Sequence, residues 1–406
     1  MPNPTRCTTT GAPGARELRT QPSAQTPSRW PLAAIAWGLL EPAACRGVES
    51  RGATHGDAPT SPPTVTMTAP DTTEASDATD ATIVSVPPDA TAPAPRLPLE
   101  LVADVPLPGG ATRFDYQDID RARGRLVIAH MNDGSLLFVE LATGSVLAEL
   151  GHIATARGVV VAGDVELTFV TSSPHALVVI DDETLTEVRR VTTGSGPDGV
   201  AWDGPHRIVG VSDQGDGALS LIADAGAGVR KQVALGAETG NVVFDAPRGW
   251  FWITVVRAHP PDALIAVDPL SAKIMTTIDL PGCDGAHGLR IHPDGGSALV
   301  ACEGNDRLVR VALDGDHALT TSATGRGADV LSIDPDLGWI YVAAESGDLT
   351  VFDIAAPGLT LVGHDHPGAN AHTVAVDPTT HRVYFPLPKG AAGKPVLRIM
   401  RPSEIE

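Results

Sequence analysis

Two histidines in this chain, His287 and His372, each follow an alanine at the start of an apolar segment, in AHGLRIH (286–292) and AHTVAVD (371–377). Five other segments share the pattern: FDYQDID from Phe114, ARGVVVA from Ala156, PDGVAWD from Pro197, TGNVVFD from Thr239 and ADVLSID from Ala328. In chain order their second residues read Asp115, Arg157, Asp198, Gly240, His287, Asp329 and His372. Imidazoles and carboxylates brought together can hold a divalent cation or act as general acid and base. An arginine among them can grip an acidic group of a small polar ligand. The apolar run that follows most segments adds a second set of polar candidates, His130, Asp213, Glu303 and Glu345.

This chemistry requires convergence, and the spacing supplies it. The seven segments end at 120, 162, 203, 245, 292, 334 and 377, in steps of 42, 41, 42, 47, 42 and 43 residues. Most are followed by a turn, a run such as RLVIAH (Arg125) or WIYVAAE (Trp339), a polar turn, a run such as LLFVEL (Leu136) or LTVFD (Leu349), and a last strand such as VLAELG (Val146). Four short strands in every repeat of about 40 to 50 residues are the signature of a β-propeller blade. A helical solenoid of that period would need apolar spacings of three and four, which these alternating runs lack. The 42 glycines and 35 prolines, with few aromatics, suit many tight turns. The seventh unit stops one strand short, and LPLELVADVP (97–106) can supply it and close the ring. The predicted fold is therefore all-β, a seven-bladed propeller spanning 97–406; six blades with an extra hairpin is the alternative. In such a ring the first strands line the central channel, and the last blade adjoins the first. His287, Asp329, His372 and Asp115 then fall on one arc and form the expected metal set, for a divalent cation if any.

The N-terminal part is of different composition. An apolar run from Trp30 to Leu40 follows Arg6, Arg16, Arg19 and Arg29 and precedes Ala43, Ala44 and Cys45. Eleven residues are too few to span a bilayer of about 30 Å but suit the core of an export signal. The arrangement resembles a bacterial lipoprotein signal, which implies lipidation at Cys45 and placement in the periplasm or cell envelope. Residues 1–45 are thus read as an export signal. Residues 46–96, rich in Thr, Ala, Pro, Ser and Asp, are read as a disordered linker. Beyond that leader only Cys283 and Cys302 remain, a plausible disulfide in an oxidising compartment, or else two buried thiols.

Charge narrows the partners. The formal net charge is −20, and residues 96–406 alone carry 23 basic against 40 acidic groups. Such a surface repels phosphate backbones and anionic headgroups, so no nucleic acid is expected, and membrane contact is expected only through the N-terminal anchor. Cys283-x-x-x-His287 is not a haem-attachment motif, and no nucleophile elbow, phosphate loop or H-E-x-x-H occurs.

Several longer stretches, GCDGAHGLRIHP from Gly282, ALVACEGNDRLVRV from Ala298, GADVLSIDP from Gly327 and AHTVAVDPTTHRVYFPL from Ala371, resemble the YVTN-type repeat of exported bacterial YncE-like propellers. The resemblance implies a monomeric exported scaffold that binds an envelope protein or a small polar ligand at the channel mouth. Other similar propellers are lactone hydrolases or subunits of quinone-linked dehydrogenases. That alternative would cast the channel-mouth His and Asp residues as acid, base or positioning groups.

Overall fold

The computed structural model describes residues 97, 99–224 and 229–403. The expected export signal, Cys45 and the linker lie outside the described residues. Among the described residues no helix is long and apolar enough to cross a membrane.

Seven four-stranded antiparallel sheets make up the fold. Their innermost strands are Gln117–Asp120, Ala156–Ala162, Pro197–Asp203, Glu238–Asp245, Ala286–Ile291, Ala328–Asp334 and Ala375–Asp377. Each lies beside the next, and the last lies beside the first, so the sheets close into a ring of blades around a central channel. The six-blade alternative is not adopted. The middle strands are buried on both faces, as their continuous apolar runs require: Ser297–Cys302 and Trp339–Ala344 are buried throughout. The outermost strands are largely polar, as in Thr186–Thr192, where only Val191 is buried. The core therefore lies between blades rather than within one. Trp252 and Leu264 of the fourth blade pack with Val300 and Val309 of the fifth. Tyr341 and Val351 of the sixth pack with Phe385 of the seventh, and Tyr384 of the seventh with Leu137 of the first.

Closure follows the expected route. Leu99–Pro106 runs antiparallel to Val396–Pro402, with Leu99 opposite Pro402 and Pro106 opposite Val396, and becomes the fourth strand of the seventh blade. Arg398 clasps Asp104 through two hydrogen bonds of 2.8 and 2.6 Å, tying the first strand to the last across 294 residues. The pairing covers a strand edge that would otherwise template association.

One irregularity recurs. In blades two to six the pairing between first and second strands shifts, at Ala156/Val159, Pro197/Val200, Thr239/Val242, Ala286/Leu289 and Ala328/Leu331. The skipped residues begin with Arg157, Asp198, Gly240, His287 and Asp329, the ring picked out by the repeat. A bulge frees its residues from the ladder and re-aims their side chains. Hydroxyls of neighbouring blades hold these bulges in place. Thr171 Oγ1 accepts from Gly158 N at 2.8 Å and donates to Asp198 O at 2.7 Å, and Thr254 Oγ1 donates to His287 O at 2.8 Å. The bulges also bring backbones close together, and a Cβ at Gly288 would collide with the carbonyl oxygen of Asp329.

Candidate functional site

Four of the residues that open the bulges meet at one end of the channel, together with Asp115 of the first blade. Asp115, Arg157, Asp198, His287 and Asp329, with Glu303 and Glu345, line a cavity of about 370 Å³ whose remaining wall is Arg113, Met131, Asn132 and Gln214. Its floor is a run of paired charges. His287 Nδ1 lies 3.0 Å from Asp329 Oδ1, and its Nε2 lies 3.4 Å from Asp198 Oδ2. Arg157 donates to Asp198 Oδ1 at 3.2 Å and to Gln214 Oε1 at 2.9 Å. On the opposite arc Arg113 grips both oxygens of Glu345, at 2.8 and 2.6 Å, and stands 3.8 Å from Asp329.

These contacts set the protonation of the floor. Burial alone would lower the His287 pKa, but the carboxylates of Asp198 and Asp329 raise it well above the ordinary imidazole value. Burial opposes ionisation of Asp329, yet the bond to His287 and the surrounding cations hold its pKa below the ordinary carboxylate value. Asp115 is pushed the other way. Burial, then the charges of Asp198 and Asp329, lift its pKa well above the ordinary value.

His372 stands behind the floor, fully buried. Its Nδ1 lies 3.2 Å from the carbonyl of Asn370, while its Nε2 is buried without a hydrogen-bond partner. Burial keeps this imidazole below its ordinary pKa. One donor atom each from His372, Asp329 and Glu345 lie within 4.8 Å of one another. The converging set thus shares His372 and Asp329 with the expected arc, but Glu345 takes the place of His287 and Asp115. His287 already faces a carboxylate at each ring nitrogen.

Two of the ten predicted residues lie elsewhere. His130 is buried against Phe114, ring centroids 4.0 Å apart, and bonds to Thr112 Oγ1 at 3.0 Å. Asp213 is enclosed in the third blade, accepting from Ser220 Oγ at 2.6 Å, Gly194 N at 3.0 Å and Gln232 Nε2 at 3.2 Å. The reason is strand alternation. His130, Asp213, Cys302 and Ala344 are the last residues of their second strands and all point into the core. The residues after them, Met131, Gln214, Glu303 and Glu345, point the opposite way and reach the cavity. Sequence reasoning mixed the two positions, and so missed Met131 and Gln214. It also missed Asn132, as well as Arg113, which precedes its aligned segment by one residue.

Cys283 and Cys302 are joined by a disulfide, Cα atoms 5.3 Å apart. It pins the turn before Ala286–Ile291 to the end of Ser297–Cys302. The same turn is held by Glu303 N donating to Gly285 O at 2.9 Å, one strand residue from His287. Farther along the channel, two cavities of about 320 and 280 Å³ share Gln117, Asp118 and Arg290. There Asp118 accepts from the backbone of Ile119 and Val161, both at 2.8 Å, which stitches the first blade to the second.

A ring of seven such blades defines the chain as a seven-bladed β-propeller with a charged channel mouth. The fold is similar to that of a solved chain of Kuenenia stuttgartiensis hydrazine synthase, with a TM-score of 0.60 and 14% sequence identity over 74% of this chain and 95% of that one. At that identity the likeness is one of fold. No protein-family model matches the chain, and no curated protein matches it in sequence.

Proposed function

We propose that this chain is an exported YncE-like propeller with YVTN-type repeats, anchored in the cell envelope by its N-terminal segment, which binds a small polar ligand at the channel mouth and acts as a scaffold. One observation carries the reading. His287 links carboxylates of the third and sixth blades beneath a cavity of about 370 Å³, so a rigid layer of opposed charges faces solvent in a concave site. The floor retains unused hydrogen-bonding capacity, since Arg157 Nε is buried without a hydrogen-bond partner and Asp198 Oδ2 is met only by His287 Nε2, at 3.4 Å. A ligand presenting both donors and acceptors, of the size of an amino acid, a dicarboxylate or a monosaccharide, matches that layer. Repeat spacing, the resemblance of the last three blades and the acidic surface support the wider assignment.

The test is thermal unfolding of the purified chain with panels of amino acids, dicarboxylates and monosaccharides, repeated on Arg157→Ala. One class should raise the midpoint of the parent chain and lose most of that shift in the variant. If no class raises it, or the variant responds equally, the reading is wrong. For the anchor, fractionation of cells making the full chain should place it with membranes, and Cys45→Ser should release it.

A further inference from the structure

We infer that Asp329, Glu345 and His372 form a binding site for one first-row divalent cation of the Zn²⁺ or Mn²⁺ class, in the channel-mouth wall between the sixth and seventh blades. The inference rests on the mouth being a ligand site and names one ligand of it.

Convergence is the first observation: this is the one group of three or more His, Cys, Asp and Glu side chains among the described residues whose donor atoms all lie within 4.8 Å of each other. Carboxylates alone would carry little, because acidic clusters are common on an acidic protein. His372 supplies the second, independent observation. Its side chain is fully buried, its Nδ1 is 3.2 Å from the Asn370 carbonyl, and its Nε2 is buried with no partner. A ring nitrogen beside a carbonyl carries the proton and donates it, which leaves the Nε2 lone pair as an acceptor with nothing to accept. A buried acceptor in that state is costly, because it has given up its bond to water without a replacement. Metal-binding histidines are oriented in this way, one nitrogen donating to a backbone carbonyl so that the other presents its lone pair.

The neighbours fit the same reading. Asp329 uses Oδ1 on His287, and its other oxygen faces Arg113 at 3.8 Å. Arg113 holds Glu345 through both oxygens while remaining 32% exposed. Its guanidinium thus stands in for the positive charge a metal would bring, and it has solvent to move into when a metal arrives. One imidazole and two carboxylates suit zinc or manganese, whereas magnesium and calcium favour sites built wholly of oxygen. Three protein ligands leave a coordination position for water or a polar ligand, toward the partly exposed Glu345 side.

Calorimetric titration of the chelator-treated full chain with Zn²⁺ and Mn²⁺, against Mg²⁺ as control, tests the site. The parent chain should bind one equivalent of Zn²⁺ or Mn²⁺ in preference to Mg²⁺. His372→Ala and Glu345→Gln should each weaken that binding by at least about tenfold, and Arg113→Gln, which removes the competing cation, should tighten it. Glu345 is partly exposed, so Glu345→Gln decides the matter if His372→Ala does not fold. The inference is overturned if no equivalent binds, if Mg²⁺ binds as well as Zn²⁺, or if Glu345→Gln leaves affinity unchanged. Arg157→Ala lies outside the three ligands. Failure of the parent chain to bind metal, alongside a small-ligand response that depends on Arg157, would therefore remove this inference and spare the scaffold reading.

Discussion

The imidazole of His287 lies 3.0 Å from the carboxylate of Asp329, which reaches it from the neighbouring blade, while its other nitrogen faces Asp198 two blades away at 3.4 Å. A single side chain therefore bridges two carboxylates that are each at least 95% buried. Breaking a buried pair by removing one partner leaves uncompensated charge, a loss of about 3–5 kcal/mol. His287→Ala should lower stability by that order in urea titration, and His287→Gln, which keeps one hydrogen bond, by less. A loss below about 1 kcal/mol for His287→Ala would mean the trio contributes no more than a surface pair.

Gly288 follows His287 in the bulge, and an added Cβ would meet the Asp329 carbonyl oxygen, a backbone atom that cannot step aside. Gly288→Ala is expected to cost about 1–3 kcal/mol through overpacking. Gly163, with nothing within 4 Å of its would-be Cβ, serves as control, and Gly163→Ala should fall within about 0.5 kcal/mol of the parent. Equal effects at the two positions would refute the close-approach argument.

The disulfide spans 19 positions. Cross-links of that loop length stabilise by about 3 kcal/mol, chiefly by restricting the unfolded chain. The double variant Cys283→Ser, Cys302→Ser should lose about that much while keeping the propeller's circular dichroism. Thiol counting on the denatured, unreduced protein checks the bond directly, and two reactive thiols at these positions would contradict it.

Asp213 provides a pH test away from the channel mouth. Burial, opposed by bonds from Ser220, Gln232 and Gly194, raises its pKa from 3.8 to about 6. Between those values the folded chain holds a proton that the unfolded chain releases, so its contribution to stability is full below the lower pKa and declines as pH rises toward the upper one. Asp213→Asn should flatten the unfolding-midpoint profile between about pH 4 and pH 6 relative to the parent. Parallel profiles across that window would show that Asp213 titrates alike in both states.

The repeat period and the period-two alternation of apolar residues pointed to the propeller, to seven blades ahead of six, to the closing role of LPLELVADVP, and to the ring containing Asp115, Arg157, Asp198, His287 and Asp329. These are properties of local pattern, and a strand's pattern survives in the sequence because burial repeats with it. Where the second strand hands over to its turn, pattern no longer sufficed. His130 and Glu303 look alike as polar residues at the end of an apolar run, yet they stand at successive positions of the alternation, so one enters the core and the other the cavity. Only paired registers reveal that parity.

Cross-blade partnership was equally hidden. Nothing in the spacing says that His287 reaches Asp198 two repeats earlier, or that Arg113 of the first blade grips Glu345 of the sixth across 232 residues. Such contacts depend on side-chain direction at a bulge and on the radius of the closed ring, both consequences of all seven blades packing at once. Sequence alone determined seven of the groups that arrive at the channel mouth, Asp115, Arg157, Asp198, His287, Glu303, Asp329 and Glu345. The tertiary structure decided their pairing, since distance and burial exist only once the ring is closed: His287 is committed to two carboxylates, and the Nε2 of His372 is left without a partner.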